Sequence, residues 1–361
     1  MTGPALPPLI ELFSGTGGFS LGAHKAGFRV AAAFDNDPVL TSSYRRNFPD
    51  TQFFLEDVSS LTAAALRESV GGSRFGLFGG PPCQGFSDIG KRDPNDPRRD
   101  LLVHFFRLVS EARPVFFVME NVRGLGNADS IEVLESAMGL VSDRYALHGP
   151  VILDASDFGA ATKRPRLFVI GVHRDFGDAV TAEDIESQKR PSKTVRDAIA
   201  DLVGAERVED CGGFDVWEVP EVVARSEYAS SLSRLDRRFT GHLRTRHTSA
   251  VVDRFKALSQ GELDKVGRHP RLAWSGLCPT LRAGTGADRG SYQSVRPIHP
   301  EEPRVITVRE AARLQGFPDA HLFHPTIWHS FRMIGNSVSP LMSEAIFRAV
   351  ASKLQDYAEA S

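Results

Sequence analysis

The sequence predicts an α/β fold: a Rossmann-like, mostly parallel sheet with helices on both faces, followed by a second, smaller and irregular domain. Three observations carry this reading. Apolar strand-like runs alternate with helix-spaced segments up to about residue 175, a glycine loop joins the first strand to the first helix, and the middle of the chain loses clear periodicity.

The elements follow in order. Leu9–Phe13 is the first strand. Gly15, Gly17 and Gly18 then allow a sharp turn and close approach to a ligand before helical spacing resumes over Phe19–Gly27. Val30–Phe34 reads as a strand and Pro38–Asn47 as a helix, and a further strand precedes Asp57. Phe75–Gly79, Val115–Glu120 and Leu167–Val172 are strands, separated by helical segments at Arg99–Arg113 and Ser130–Asp143. The unbroken run Val115-Phe-Phe-Val-Met119 fits a strand buried on both faces. Residues 176–300 are rich in charges, Gly, Pro and Ser. Val308–Gln315 is a helix starting at Thr307 and stopped by Gly316 and Pro318, and Pro340–Tyr357 is an amphipathic terminal helix.

Composition narrows the class. The 361 residues have room for one large and one smaller domain, and no apolar run reaches the roughly 20 residues of a membrane span. The start, Met-Thr-Gly-Pro-Ala-Leu-Pro-Pro, lacks the basic and apolar regions of a signal peptide, so a cytoplasmic protein is expected. Cys83, Cys211 and Cys278 lie far apart with no zinc-type spacing, so free thiols and no metal are expected. Net charge is −2, which gives no sign of a nucleic-acid partner. Between Arg234 and Lys256, however, seven Arg and Lys residues face only Asp236 and Asp253, which is either a solvated surface or a phosphate-contact surface.

One stretch carries chemistry. Gly79-Gly-Pro-Pro-Cys-Gln-Gly-Phe-Ser87 follows a strand, and Pro81 and Pro82 stiffen the turn immediately before Cys83. A thiol held rigidly at the carboxyl end of a strand stands where an open α/β sheet places reacting groups. The first glycine loop and Asp35, at the end of the second strand, together suit a nucleoside-containing cofactor whose ribose the carboxylate holds. Gly15-x-Gly17-x-x-Ser20 comes close to a dinucleotide fingerprint, so a nicotinamide cofactor stays open at this point, as does a turn with no ligand.

The motifs Phe13-Ser-Gly-Thr-Gly-Gly18, Asp35 to Pro38, Glu56-Asp57, Gly80-Pro-Pro-Cys-Gln-Gly-Phe-Ser87, Glu120-Asn-Val122, Arg164-Pro-Arg166, Arg304 to Asp319 and Gly335-Asn-Ser-Val338 occur in this order. Together they resemble the cytosine-5 DNA methyltransferase family, in its compact bacterial or phage form. The match runs from residue 9 to about 346 and leaves only the middle region unmatched. The resemblance implies a methyltransferase sheet that binds S-adenosyl-L-methionine and releases S-adenosyl-L-homocysteine. Phe13, Ser14, Gly15, Gly17, Gly18, Asp35, Asn36, Asp57, Val58, Pro82, Asn336, Ser337 and Val338 would line the cofactor, with Phe13 stacked on adenine and Asp57 at its edge. It also implies a catalytic domain of residues 1–185 plus 326–361, to which the final helix returns. A target-recognition domain of residues 186–325 would complete the chain, with double-stranded DNA in the cleft between.

The chemistry explains the residue types. A thiolate adding at C6 of cytosine gives C5 carbanion character, and the resemblance assigns that thiolate to Cys83, which needs a site favouring ionisation. Glu120 would stabilise the ring at N3 and the exocyclic amine, protonated at least transiently in an apolar pocket. Arg166 would reach O2 or the flanking phosphate, and Arg164 would support the pocket. The base must be flipped out of the duplex, and residues 87–99 fit a lid that closes over it. Gln84, Ser87, Lys91, Arg92 and Arg99 are candidate DNA contacts there. Thr280, Arg282 and Arg289 are candidates in the recognition segment, where arginine most often reads guanine.

One position departs from the family pattern. Thr162 stands where the arginine motif usually has Gln, which implies altered pocket packing rather than lost activity. Three alternatives are weaker. A tRNA substrate does not need so large a middle domain, a silent DNA-binding protein would not keep Cys83, Glu120, Arg164 and Arg166, and a nicotinamide enzyme explains only the first loop and Asp35. A monomer, cytoplasmic and nucleoid-associated, is expected. A cognate restriction endonuclease would be its genetic partner, which only neighbouring genes can show.

Overall fold

The computed structural model describes residues 6–82, 100–283 and 296–354. The chain divides into two compact units. One comprises Met1–Asp154, Pro165–Lys189 and Met342–Ser361; the other comprises Ala155–Arg164 and Arg190–Leu341.

The first unit is built on seven strands, β1 (Leu9–Leu12), β2 (Val30–Asp35), β3 (Gln52–Leu55), β4 (Gly76–Gly79), β5 (Phe116–Val122), β6 (Tyr145–Asp154) and β7 (Pro165–His173), in the order β3-β2-β1-β4-β5-β7-β6. The first five are parallel, and β7 joins β5 and β6 antiparallel. Five strands coincide with the predicted ones. Of the others, β3 was expected only as the strand before Asp57, and β6 was not foreseen.

Helices α1 (Gly18–Lys25), α2 (Tyr44–Asn47), α3 (Ala63–Ser69), α4 (Asp100–Ala112) and α5 (Ala128–Gly139) connect the strands. The helix expected from Pro38 begins only at Tyr44, because the Asp37 side chain caps the amides of Val39 and Leu40 in a turn instead. Phe105, Phe106, Phe117, Leu134 and Val169 form the centre of the core, all fully buried. Phe347, near the end of the chain, packs edge-on against Phe78 and Phe116 and beside Phe19 and Phe28. Ser343 donates to the Phe19 carbonyl at 2.7 Å. The final helix therefore returns to the sheet, as expected.

The second unit holds a three-stranded antiparallel sheet of β8 (Glu206–Cys211), β9 (Phe214–Glu218) and β10 (Arg238–Thr240). Its helices are α7 (Val195–Ile199), α8 (Glu227–Leu232), α9 (Ser249–Lys256), α10 (Val308–Leu314) and α11 (Ile327–Asn336); α6 (Ala182–Glu186) belongs to the first unit, and α12 (Pro340–Ala351) runs from the second unit into the first. Thr307 caps α10 with Glu310 in a reciprocal box, confirming the predicted start. Every residue of α10 is buried, including Arg309, Glu310 and Arg313. Their charges are paired: Arg313 with Asp201 and Asp319, both at 2.7 Å, and Glu310 with Arg304 at 2.8 Å. Residues 155–164 and 326–341, placed with the catalytic domain from the sequence, group with this second unit. No described helix is long and apolar enough to cross a membrane.

Candidate active site

The strand order reverses at β1, whose neighbours are β2 and β4, so the carboxyl ends of these strands form a topological switch point. The glycine loop starts there. Phe13, Gly15 and Gly17 all have positive φ, of 58°, 51° and 83°. A Cβ on Gly17 would collide with the rings of Phe48 and Tyr44. Gly18 opens α1 and is buried. The amide of Gly15 donates to Asp35 Oδ2, and that of Asp37 to Oδ1, each at 2.8 Å. Burial raises the Asp35 carboxyl above its ordinary range, against these amides, which lower it. Asn36 donates to Asp57 Oδ2 at 2.9 Å. Asp57 also accepts from the Ser59 amide, and hydrogen bonds from Ser59 hold its carboxyl below the usual range. Val58 is buried beside it. The Ser14 hydroxyl is buried with no hydrogen-bond partner among the described residues.

On the next strands, Glu120 Oε1 lies 2.8 Å from Arg166 Nε, and both side chains are about nine-tenths buried. Strand pairing sets this contact, because β5 and β7 place Val122 opposite Arg166 and Glu120 opposite Phe168. Arg166 also donates to the Pro165 carbonyl at 2.8 Å. Among the described residues the Glu120 carboxylate faces the Arg166 guanidinium. Gly80 lies against this carboxylate: a Cβ on it would sit 2.7 Å from Glu120 Oε2, so the side chain would have to shift. Asn121 donates to the Pro81 carbonyl at 3.1 Å. The Glu-Asn-Val motif thus pins the backbone of the Pro-Pro turn, two residues before Cys83 in the chain. Pro82 is the last described residue before Cys83. Cys83, Gln84, Ser87, Lys91, Arg92, Arg99 and Arg289 lie outside the described residues.

Arg164, expected to support the pocket, is fully buried, and its two terminal nitrogens donate to the carbonyls of Leu281, at 3.1 Å, and Gly335, at 2.7 Å. Thr280 donates its hydroxyl to the Lys163 carbonyl at 2.7 Å, whereas Arg282 is exposed. Asn336 ends α11; Ser337 donates to the Val338 carbonyl at 3.1 Å, and Val338 is buried. Within the basic stretch, Arg234 pairs with Asp236, Arg238 with Glu209 and Glu218, Arg244 with Glu302, and Arg254 with Asp264. Most of its charge is thereby compensated internally.

Cys278 is buried, which pushes its thiol up to about 12, and Cys211 is exposed at the end of β8. Two residues escaped sequence reasoning. Asn121 was read only as part of a motif. Glu11 sits fully within β1, accepting from Ser20 and, at 3.0 Å, from Tyr44. A lone acid inside an apolar strand was the available signal.

Comparison with known proteins identifies the family. The family profile described as C-5 cytosine-specific DNA methylase matches residues 8–352. The type II methyltransferase M.XorII of Xanthomonas oryzae pv. oryzae is 39% identical over 367 residues, covering 93% of this chain and 82% of the relative. M.DdeI of Desulfomicrobium norvegicum is 31% identical over 379 residues, covering 95% and 88%. A crystal structure of a protein described as a DNA modification methyltransferase encoded within an E. coli prophage superposes with a TM-score of 0.80 at 38% identity, covering 96% of this chain and 99% of the other. The chain belongs to the C-5 cytosine-specific DNA methylase family and is an S-adenosylmethionine-dependent DNA cytosine-5 methyltransferase.

Proposed function

We propose that Cys83 is the nucleophile and that Glu120 and Arg166 stabilise the ring it attacks. The observation that carries this is the Glu120–Arg166 pair beside Gly80, with Asn121 fixing the Pro81 carbonyl just ahead of Cys83. The Cys83 thiolate forms a bond to C6 of a flipped cytosine, and the electrons of the C5–C6 double bond become available at C5. Glu120, carrying a proton as the thiolate adds, donates it in a hydrogen bond to N3 and accepts from the exocyclic amine, while Arg166 keeps the carboxyl group in place. S-adenosylmethionine, when bound, would supply the methyl group that the C5 electron pair takes, its S–CH3 bond breaking to leave S-adenosylhomocysteine. Loss of the C5 proton then returns its electron pair to the ring and expels the Cys83 thiolate.

The first unit fits the cofactor. Asp35, held by the Gly15 and Asp37 amides, presents its remaining lone pairs for ribose hydroxyls, and Asn36–Asp57 offers a polar edge for adenine. The unpartnered Ser14 hydroxyl suits a polar ligand group, and Phe13, at its positive φ, offers a ring for stacking. Gly17, Gly18, Val58 and Pro82 complete this set, and Asn336, Ser337 and Val338 are further cofactor candidates. The second unit carries target recognition through Thr280, Arg282 and Arg289. Gln84, Ser87, Lys91, Arg92 and Arg99 contact DNA around the target base. We infer a monomer that acts on DNA in the cytoplasm, at the nucleoid. Relatives named type II methyltransferases support a genetic pairing with a restriction endonuclease.

The test is methyl transfer from labelled S-adenosylmethionine to unmethylated genomic DNA and to bulk tRNA, with Cys83→Ser alongside. 5-Methylcytosine in DNA, lost in the variant, supports the assignment. Undiminished transfer by the variant overturns it.

A further inference from the structure

Residues 161–164 run along residues 278–281 in an unusually dense set of bonds. Cys278 N donates to the Ala161 carbonyl and Lys163 N to the Cys278 carbonyl, each at 2.9 Å. The Thr162 hydroxyl donates to the Cys278 carbonyl at 3.0 Å, and that of Thr280 to the Lys163 carbonyl. Arg164 then binds the Leu281 carbonyl, immediately before the exposed Arg282.

The same guanidinium caps a helix end. The last carbonyls of a helix have no partner within it, and a cation is favoured there. In α11 the Ile334 carbonyl accepts from buried Gln315 at 3.0 Å, and the Gly335 carbonyl accepts from Arg164. Gly335 itself sits in the last turn of α11, where glycine is intrinsically poorer than alanine. Its reason is contact: a Cβ there would lie 2.5 Å from Arg282 C and from Ala283 Cα. The backbone of residues 282–283 thus lies against the helix where only glycine leaves room, and Arg164 ties both to one point.

We propose that Arg164, Thr162 and Gly335 are positioning residues for DNA target choice, setting where Arg282 is presented. This rests on the reading of Arg282 as a DNA contact. Arg164 supplies the staple, Thr162 the register of the paired segments, and Gly335 the close approach.

The test first sequences the wild-type product to find the methylated site. It then measures kcat and KM on that duplex and on duplexes with single base-pair changes. Gly335→Ala must push the 282–283 backbone away from the helix; a thermal melt establishes that the variant is folded, and the folded variant should keep cofactor affinity, measured by calorimetry, within about twofold. It should lose about tenfold or more of the discrimination between target and altered sites, the scale of one base contact. Arg164→Lys should behave alike, and neither change should add to Arg282→Ala in a double-variant cycle. Unchanged discrimination in Gly335→Ala overturns the proposal. So does a loss of kcat shared equally by target and altered duplexes, or full additivity with Arg282→Ala. Absence of DNA methylation by the wild-type enzyme would instead overturn the functional assignment.

Discussion

Arg166 Nε and Glu120 Oε1 stand 2.8 Å apart at the carboxyl edge of the sheet, both largely withdrawn from water. Removing one partner of such a buried pair leaves a charge uncompensated, at a cost of about 3–5 kcal/mol. Arg166→Ala is therefore expected to lower both the melting temperature and kcat. Glu120→Gln leaves Arg166 uncompensated in the same way, so it should lower the melting temperature as well, and it should lower kcat by about 10²-fold or more, the usual contribution of a positioned acid–base group. Single-turnover methylation with a thermal melt on each variant checks both. A Glu120→Gln enzyme with wild-type kcat would remove Glu120 from the chemistry.

Asn121 acts through backbone. Its bond to the Pro81 carbonyl is buried, and a lost bond of this kind costs about 1–3 kcal/mol. Asn121→Leu should lower kcat about tenfold or more and cofactor affinity by less, because only Pro82 of the cofactor set adjoins the bond while the glycine loop and Asp35 lie elsewhere. Calorimetry with S-adenosylhomocysteine beside methylation kinetics separates the two quantities.

Glu11 makes stability depend on pH. Burial raises its carboxyl from 4.5 to about 8, with the Asp35 charge adding and Ser20 and Tyr44 opposing. The native state then holds a proton that the unfolded chain releases above about pH 4.5. This contribution is complete below that pH and is lost as pH rises through about 8. Glu11→Gln mimics the protonated form, so it should melt higher than the wild type at about pH 8 and show little difference at about pH 5. A gap independent of pH would contradict the protonated state.

Thr162 is fully buried and bonded to the Cys278 carbonyl. The longer Gln of the family pattern must displace the 278–281 segment. Thr162→Gln should therefore destabilise by about 1–3 kcal/mol and relax target choice rather than raise activity. Denaturant melts and the discrimination assay check it; a many-fold gain in activity would show that the segment has room.

The sheet was legible where strands are buried on both faces. β5 is an unbroken apolar run with little exposure anywhere along it. β6 was missed because it is an edge strand, half-exposed along its length and interrupted by Gly149-Pro150, which reads as a breaker. The second unit was hard to read for a different reason. Much of its interior is polar: Arg304, Arg309 and Arg313 look like a solvated helix face in sequence, yet all three are buried against carboxylates or carbonyls. The candidate site was legible as motifs, since Glu120 and Arg166 do meet. The work of Arg164 was not, because its partners, Leu281 and Gly335, are more than 100 residues away and are backbone atoms that leave no side-chain signal.

The central claim is that Cys83 bonds to C6 of the target base. A duplex carrying 5-fluorocytosine at the methylated site tests it directly, because fluorine at C5 cannot leave as a proton does and the adduct persists. Incubation with S-adenosylmethionine followed by peptide mass spectrometry should find the nucleotide attached to the peptide containing Cys83, and no adduct in Cys83→Ser. An adduct on any other residue, or one that survives in Cys83→Ser, would contradict the account.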